Sequence, residues 1–252
     1  MNKDKILLIA GCSHTSGSEI DGSEDSKYNR RHSFGGVLAT QLNRRSINIA
    51  QVAMSNSGIA RSVMNWFKRQ YNHISMDVAV LIAWTESTRM ENIRIQPAYY
   101  QSSAMSCDWF DNTSNDYYRI NMGFFGGPGE DKEMFKFFHE YMARFPELAE
   151  ITNANYVIQV QNYLKLLNVP YLMCNAMHMF SNPPCRHLKQ YLDFIDTDRY
   201  YKMMDNSNSF YTKYKNLGYT NEKAKYWHHG EEPHRAYADE LYKFIGDNHV
   251  FS

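Results

Sequence analysis

The sequence predicts an α/β protein in which helices cover both faces of a central parallel sheet. Two continuous apolar runs, Ile6 to Ala10 and Val78 to Ala83, lack the alternation of a half-exposed strand and read as strands buried on both faces. Segments with helical apolar spacing lie between such runs, so strand and helix alternate along the chain. A third observation is the abrupt end of the first run at Gly11-Cys12-Ser13-His14-Thr15-Ser16-Gly17. Small polar residues directly after a buried strand mark the edge at which open α/β sheets bind ligands.

In chain order, Ile6 to Ala10 is the first strand, and Phe34 to Leu42 follows as a helix. Ile47 to Val52 is a second, less regular strand, after which Ile59, Val63, Trp66 and Phe67 mark one face of a helix. Val78 to Ala83 is the third strand. Ile151, Ala154, Val157, Val160, Leu164 and Leu167 outline a long helix, Val169 to Cys174 a fourth strand, and Ala238, Leu241, Tyr242 and Ile245 the last helix. The stretch from about 87 to 144 interrupts this order. It lacks a strand pattern and carries Tyr99-Tyr100, Trp109-Phe110, Tyr117-Tyr118 and Phe124-Phe125. Paired aromatics of this kind suit a cap over a substrate, or a face for self-association. Asp205 to Lys225 is polar and weakly patterned.

With 252 residues, 43% of them hydrophobic, the chain is expected to form one domain, 1–252, with the insertion inside it. Lys plus Arg and Asp plus Glu are 27 each, so no net positive field draws a nucleic-acid backbone, and nucleic-acid binding is not expected. No apolar run reaches the roughly 18 to 20 residues that span a bilayer, and Ile6 to Ala10 is too short for a signal-peptide core. Four cysteines without a CxxC pair suit reduced thiols. A cytoplasmic protein without membrane partners is therefore expected.

Ser13 is the candidate nucleophile, and the competing reading is that it only caps a helix. A second cluster, His228-His229-Gly230-Glu231-Glu232-Pro233-His234, precedes the last helix, where a loop histidine could serve as general base. The cluster lacks the HExxH spacing of a zinc site, so no metal or other cofactor is expected. Glu231 and Glu232 also suit the first turn of a helix electrostatically. His14 reads as a solvated turn residue in preference to one that sits over the pocket, and Arg89 as an anion-binding residue or a partner of Glu86 or Glu91.

The ordering of these blocks resembles the SGNH (GDSL esterase) superfamily. Gly11 to Gly17 is similar to that family's G-D-S-x-x-x-G, with Cys12 in place of Asp. His228, His234 and Ala238 fall on the spacing of its terminal block, which makes His228 the match for the catalytic base. Lys225 stands where the family has the orienting Asp. Asn48 to Asn56 resembles the second block, with Ala53 at the oxyanion-hole glycine and Gly58 as a less natural alternative. Ala83-Trp84-Thr85-Glu86 lies where the family has G-x-N-D, so Thr85 replaces the Asn, and Trp84, Thr85, Glu86 and Arg89 resemble a signature of compact phage-encoded members.

The resemblance implies a flavodoxin-like three-layer α/β/α sandwich and serine-dependent hydrolysis of a small or carbohydrate-linked O-acyl ester. Ser13 and His228 would be catalytic, and Ser13, Ala53, Asn56 and Thr85 would form the oxyanion hole. Asn56 has an alternative role as helix N-cap. With Lys225 at the Asp position, the base would be held by a backbone carbonyl, by a carboxylate such as Glu86 or Glu231, or not at all. Glu86, Arg89, Glu231 and His234 are the supporting candidates. The alternative function is a catalytically degenerate binding or structural component such as one of a phage particle; a phage-encoded protein would be virion-associated, with the aromatic insertion as a face for virion partners.

Overall fold

A computed structural model describes residues 3–93, 117–121, 140 and 144–251. Four strands, β1 (Asp4–Gly11), β2 (Arg45–Asn48), β3 (Met76–Trp84) and β6 (Tyr171–Asn175), form a parallel sheet in the order β2-β1-β3-β6. Because β1 is joined to neighbours on opposite sides, the chain reverses direction across the sheet at β1. The carboxyl ends of β1 and β3 meet there, where Gly11 pairs with Ala83, at the kind of switch point beyond which open α/β sheets bind ligands.

Successive residues of each buried strand feed opposite cores, which is why these strands are apolar throughout. Ile6, Leu8, Val78, Val80, Ile82 and Met173 face a core completed by α4 (Asn56–Gln70), α5 (Pro146–Leu166) and α6 (Arg186–Leu192). Leu7, Ile9, Ala79, Leu81, Leu172 and Cys174 face the other, covered by α3 (Phe34–Gln41), α7 (Phe210–Asn216) and α8 (Glu231–Asp247). The three-layer expectation holds, and Trp84 with the stripe Ile59, Val63, Trp66 and Phe67 is core. Each fully buried Leu or Ile contributes about 1.5–3 kcal/mol of transfer free energy.

Three details differ from the sequence reading. The second strand ends at Asn48 rather than Val52, because the chain must turn off the sheet: Arg30 Nη1 caps the carbonyls of Asn48 and Ala50, and Gln51 N–H donates to Gly11 O. The polar stretch 205–225 contains α7, whose Phe210 and Tyr214 are buried. Within the insertion, β4 (Arg89–Ile93) pairs antiparallel with β5 (Tyr117–Asn121), so it does hold strand structure. Tyr99-Tyr100, Trp109-Phe110 and Phe124-Phe125 lie outside the described residues. Among those residues no helix is long and apolar enough to cross a membrane.

Candidate active site

Beyond β1 the chain makes a single helical turn, α1 (Ser13–Ser16), capped by Cys12. Ser13 therefore sits inside the turn, and the capping alternative for it falls away. Two glycines make the geometry possible. A Cβ on Gly11 would lie 2.2 Å from Thr15 Oγ1 and 2.8 Å from Ala83 O, while Gly17 closes the turn at φ +77°, a conformation that disfavours other residues. Ser13 is 5% exposed. Its hydroxyl makes no hydrogen bond with the described residues and is not among the enclosed orphan oxygens.

The loop after β2 is tied to the end of β1 through Gln51 N–H to Gly11 O. Ala53, in this loop, has φ +58°. That left-handed backbone is the physical reason for a glycine at the corresponding family position. Ser55, not Asn56, caps α4, its hydroxyl accepting from Gly58 N–H. Asn56 is fully buried and makes a reciprocal pair with Thr85: Thr85 N–H donates to Asn56 Oδ1 at 2.8 Å, and Asn56 Nδ2 donates to Thr85 O at 3.0 Å. A second Nδ2 contact reaches Met179 Sδ at 3.4 Å. This pairing locks the start of α4 to the end of β3. Thr85 Oγ1 is enclosed without a partner.

The candidate base, His228, is held by a residue outside the sequence-derived candidates. His228 Nδ1 lies 2.6 Å from Oε2 of Glu19, 209 positions earlier in the chain. Glu19 is 1% exposed and is presented by a turn with φ +65°. Its carboxylate also accepts Lys225 N–H at 2.9 Å and Tyr226 N–H at 3.1 Å. An ionised carboxylate only accepts, so Nδ1 carries the hydrogen and Nε2 presents its lone pair. Lys225 thus contributes its backbone, not its ammonium, to the site. Glu86 instead pairs with Arg89 (2.9 Å) and Glu231 with Arg235 (2.9 Å), so neither expected carboxylate is the one that orients His228.

The remaining histidines differ in role. His14 is buried, contrary to a solvated reading, with ring centroids 4.9 Å from His228 and 5.2 Å from Tyr211. Since His14 adjoins Ser13, this contact brings His228 to the turn that carries Ser13. No hydrogen bond joins Ser13 and His228 among the described residues, and such bonds often tighten only in the substrate complex. His229 Nε2 contacts Tyr211 O at 3.1 Å, and a carbonyl only accepts, so His229 donates there. His234 is fully enclosed between Phe34 and Phe210 and accepts Phe34 N–H on Nδ1 at 3.1 Å, which ties α8 to α3. His229→Ala is accordingly expected to retain the larger part of any Ser13-dependent turnover. A loss matching that of His228→Ala in folded protein would assign the base to the wrong neighbour.

Burial lowers the His228 pKa below its ordinary value, Glu19 opposes that shift, and the Arg89 charge adds to it. Burial likewise lowers His14, His229 and His234. Among the described residues no group of His, Cys, Asp and Glu is arranged to hold a metal ion.

No protein-family model and no curated protein matches the chain. A carbohydrate esterase family 2 enzyme with its carbohydrate-binding domain, from Corynascus thermopiles (Myceliophthora fergusii), superposes with a TM-score of 0.53 at 11% identity, over 98% of this chain and 67% of that one. The fold is that of the SGNH hydrolases. Weaker similarity extends to the psychrotrophic esterase EstA from Pseudoalteromonas sp. (TM-score 0.47, 12% identity, 97% and 98% covered). It also extends to a lipolytic protein of the G-D-S-L family from Veillonella parvula (0.43, 10%, 94% and 96%). The carboxylate against His228 Nδ1 is thus Glu19 and not the residue three positions before His228, which is Lys225. The only trace of it in the sequence is an acidic residue closely following the first glycine block.

Proposed function

We propose that the protein is a serine esterase in which Ser13, His228 and Glu19 act as nucleophile, base and orienting carboxylate. The observation that carries this reading is the 2.6 Å pairing of Glu19 with His228 Nδ1, which restores the carboxylate that Lys225 displaces. Ser13 Oγ attacks the ester carbonyl as its proton passes to His228 Nε2. The tetrahedral intermediate collapses, the alcohol leaves with that proton, and an acyl-serine remains. Water then attacks the acyl carbon, giving its proton to His228, and collapse returns that proton to Ser13 with release of the acid. Backbone N–H groups of Ser13, at the start of α1, and of Ala53 are the proposed oxyanion donors.

The burial of Ser13, which is 5% exposed, favours a short acyl group. A small or sugar-linked O-acetyl ester is the proposed substrate class, in keeping with the carbohydrate esterase that shares the fold. Purified protein should release p-nitrophenol from p-nitrophenyl acetate, deacetylate an acetylated xylo-oligosaccharide, and accept a fluorophosphonate label on Ser13. Absence of both turnover and label would leave a binding or structural component as the better reading.

Because the base works deprotonated and its pKa is lowered, kcat/KM should hold its plateau to below about pH 6.5 and decline only as pH falls through the lowered value. The four lowered histidines carry a parallel consequence for stability. Between their folded values and about 6.5 the unfolded chain binds more protons, so the stability they contribute is complete above about 6.5 and is lost as pH falls. Initial rates and melting temperatures measured across pH 4.5–8 on the order of half-unit steps separate the two effects. An acidic limb centred above 7 would contradict the assignment of His228.

A further inference from the structure

The oxyanion in an SGNH site is ordinarily met by a side-chain amide as well as by backbone, and here that amide is unavailable. Asn56 directs Nδ2 at Thr85 O and Met179 Sδ. Thr85, at the corresponding place, offers only an enclosed hydroxyl. A donor of another kind stands at the same edge of the sheet. Arg89 opens β4, three residues beyond Glu86, and is 7% exposed. Its Nε donates to Glu86 Oε1 at 2.9 Å, and its Nη2 reaches Met177 Sδ at 3.3 Å, a weak acceptor. Nη1 is enclosed and has no hydrogen-bond partner among the described residues.

The position of Arg89 follows from its contacts. Met177 lies just past β6, where the N–H groups of Ala176 and Met177 turn back to Trp84 O at the end of β3. The guanidinium thus lies over the carboxyl ends of β3 and β6, the edge at which Ser13 stands beyond β1. Its charge is felt by both His14 and His228, which places it in the same quarter of the molecule. Glu86 fixes the fork of the guanidinium, so the unpaired N–H is held in place before any substrate arrives. An enclosed cationic donor without a partner is costly in the resting protein. It becomes favourable when negative charge develops beside it, because charge in an enclosed site is screened far less than in water.

We propose that Arg89 donates Nη1–H to the oxyanion of the tetrahedral intermediate, replacing the side-chain amide of the fold. The assignment rests on the esterase reading given above. No bond to Arg89 is made or broken: the carbonyl π pair moves onto oxygen, Nη1–H shares its proton with that oxygen, and the interaction relaxes when the carbonyl re-forms.

The test is steady-state turnover of p-nitrophenyl acetate, a neutral ester, by wild type, Arg89→Met, Arg89→Lys, Arg89→Ala and Ser13→Ala, with melting curves for each. Arg89→Met is expected to lower kcat by about 100- to 1,000-fold with KM nearly unchanged. Arg89→Lys should recover part of that loss, and millimolar guanidinium should raise the turnover of Arg89→Ala without affecting wild type. Unchanged Ser13-dependent kcat in Arg89→Met overturns the assignment. So does a loss confined to KM for esters bearing a carboxylate, which would make Arg89 a reader of substrate charge. A lowered melting temperature with no rescue by guanidinium overturns it in favour of a folding role. Turnover that survives Ser13→Ala removes the esterase reading itself, a result read in the Ser13 variant alone.

Discussion

Ser13→Ala and His228→Ala should each lower kcat to the level that binding and the oxyanion donors sustain alone, a fall of up to about 10⁶-fold. The double variant should be little worse than either single one, since nucleophile and base act in one step and their effects do not add. The structural reason is that Ser13 offers a hydroxyl with no other hydrogen-bond partner among the described residues, while Nε2 of His228 is the ring nitrogen left over once Glu19 takes Nδ1. The measurement is single-turnover and steady-state hydrolysis of an activated acetate, with a fluorophosphonate to titrate active sites. Full labelling of Ser13→Ala would show that another residue is the nucleophile. Additive losses in the double variant would separate the two residues into independent roles.

Glu19→Gln should cost about 10⁴-fold in kcat, the scale on which a triad loses activity when its carboxylate becomes an amide. The carboxylate accepts from three N–H groups: Lys225 and Tyr226 of the backbone and His228 Nδ1. A glutamine keeps one accepting oxygen and turns an NH₂ towards donors that need an acceptor. If the amide oxygen stays with Lys225, His228 has to carry its proton on Nε2, the tautomer that cannot take one from Ser13. The same substitution should destabilise the fold by about 1–3 kcal/mol, because a buried N–H loses its partner. Activity and stability are separable here. Nitrogen chemical shifts of the His228 ring report the tautomer directly, and denaturant unfolding reports the stability. A Glu19→Gln variant with wild-type kcat and an Nε2 lone pair would show that the carboxylate only anchors the 225–226 backbone.

The sheet was legible because its physics is local. Strands buried on both faces must be apolar at every position, and Ile6 to Ala10 and Val78 to Ala83 carry that mark without help from the rest of the chain. The places of Ser13 and His228, the proposed nucleophile and base, were legible for a related reason: Ser13 closely follows a buried strand, and His228 lies just before an amphipathic helix, so each position is set by its own segment. The short α7 was not legible. Its helical state depends on burying Phe210 and Tyr214 against α8, and a seven-residue helix is marginal without such packing.

Sequence order alone therefore determined the parallel three-layer architecture and the places of Ser13 and His228. Tertiary structure alone decided what holds the base and what Asn56 does. Glu19 reaches His228 across 209 positions because a left-handed turn after α1 folds the carboxylate under the loop before α8, and no periodicity or spacing encodes that approach. Asn56 is equally plausible in sequence as a cap or a donor. Only the packing of α4 against the end of β3 assigns its amide to Thr85, since hydrogen bonds between distant segments are chosen by which buried groups would otherwise go unpaired.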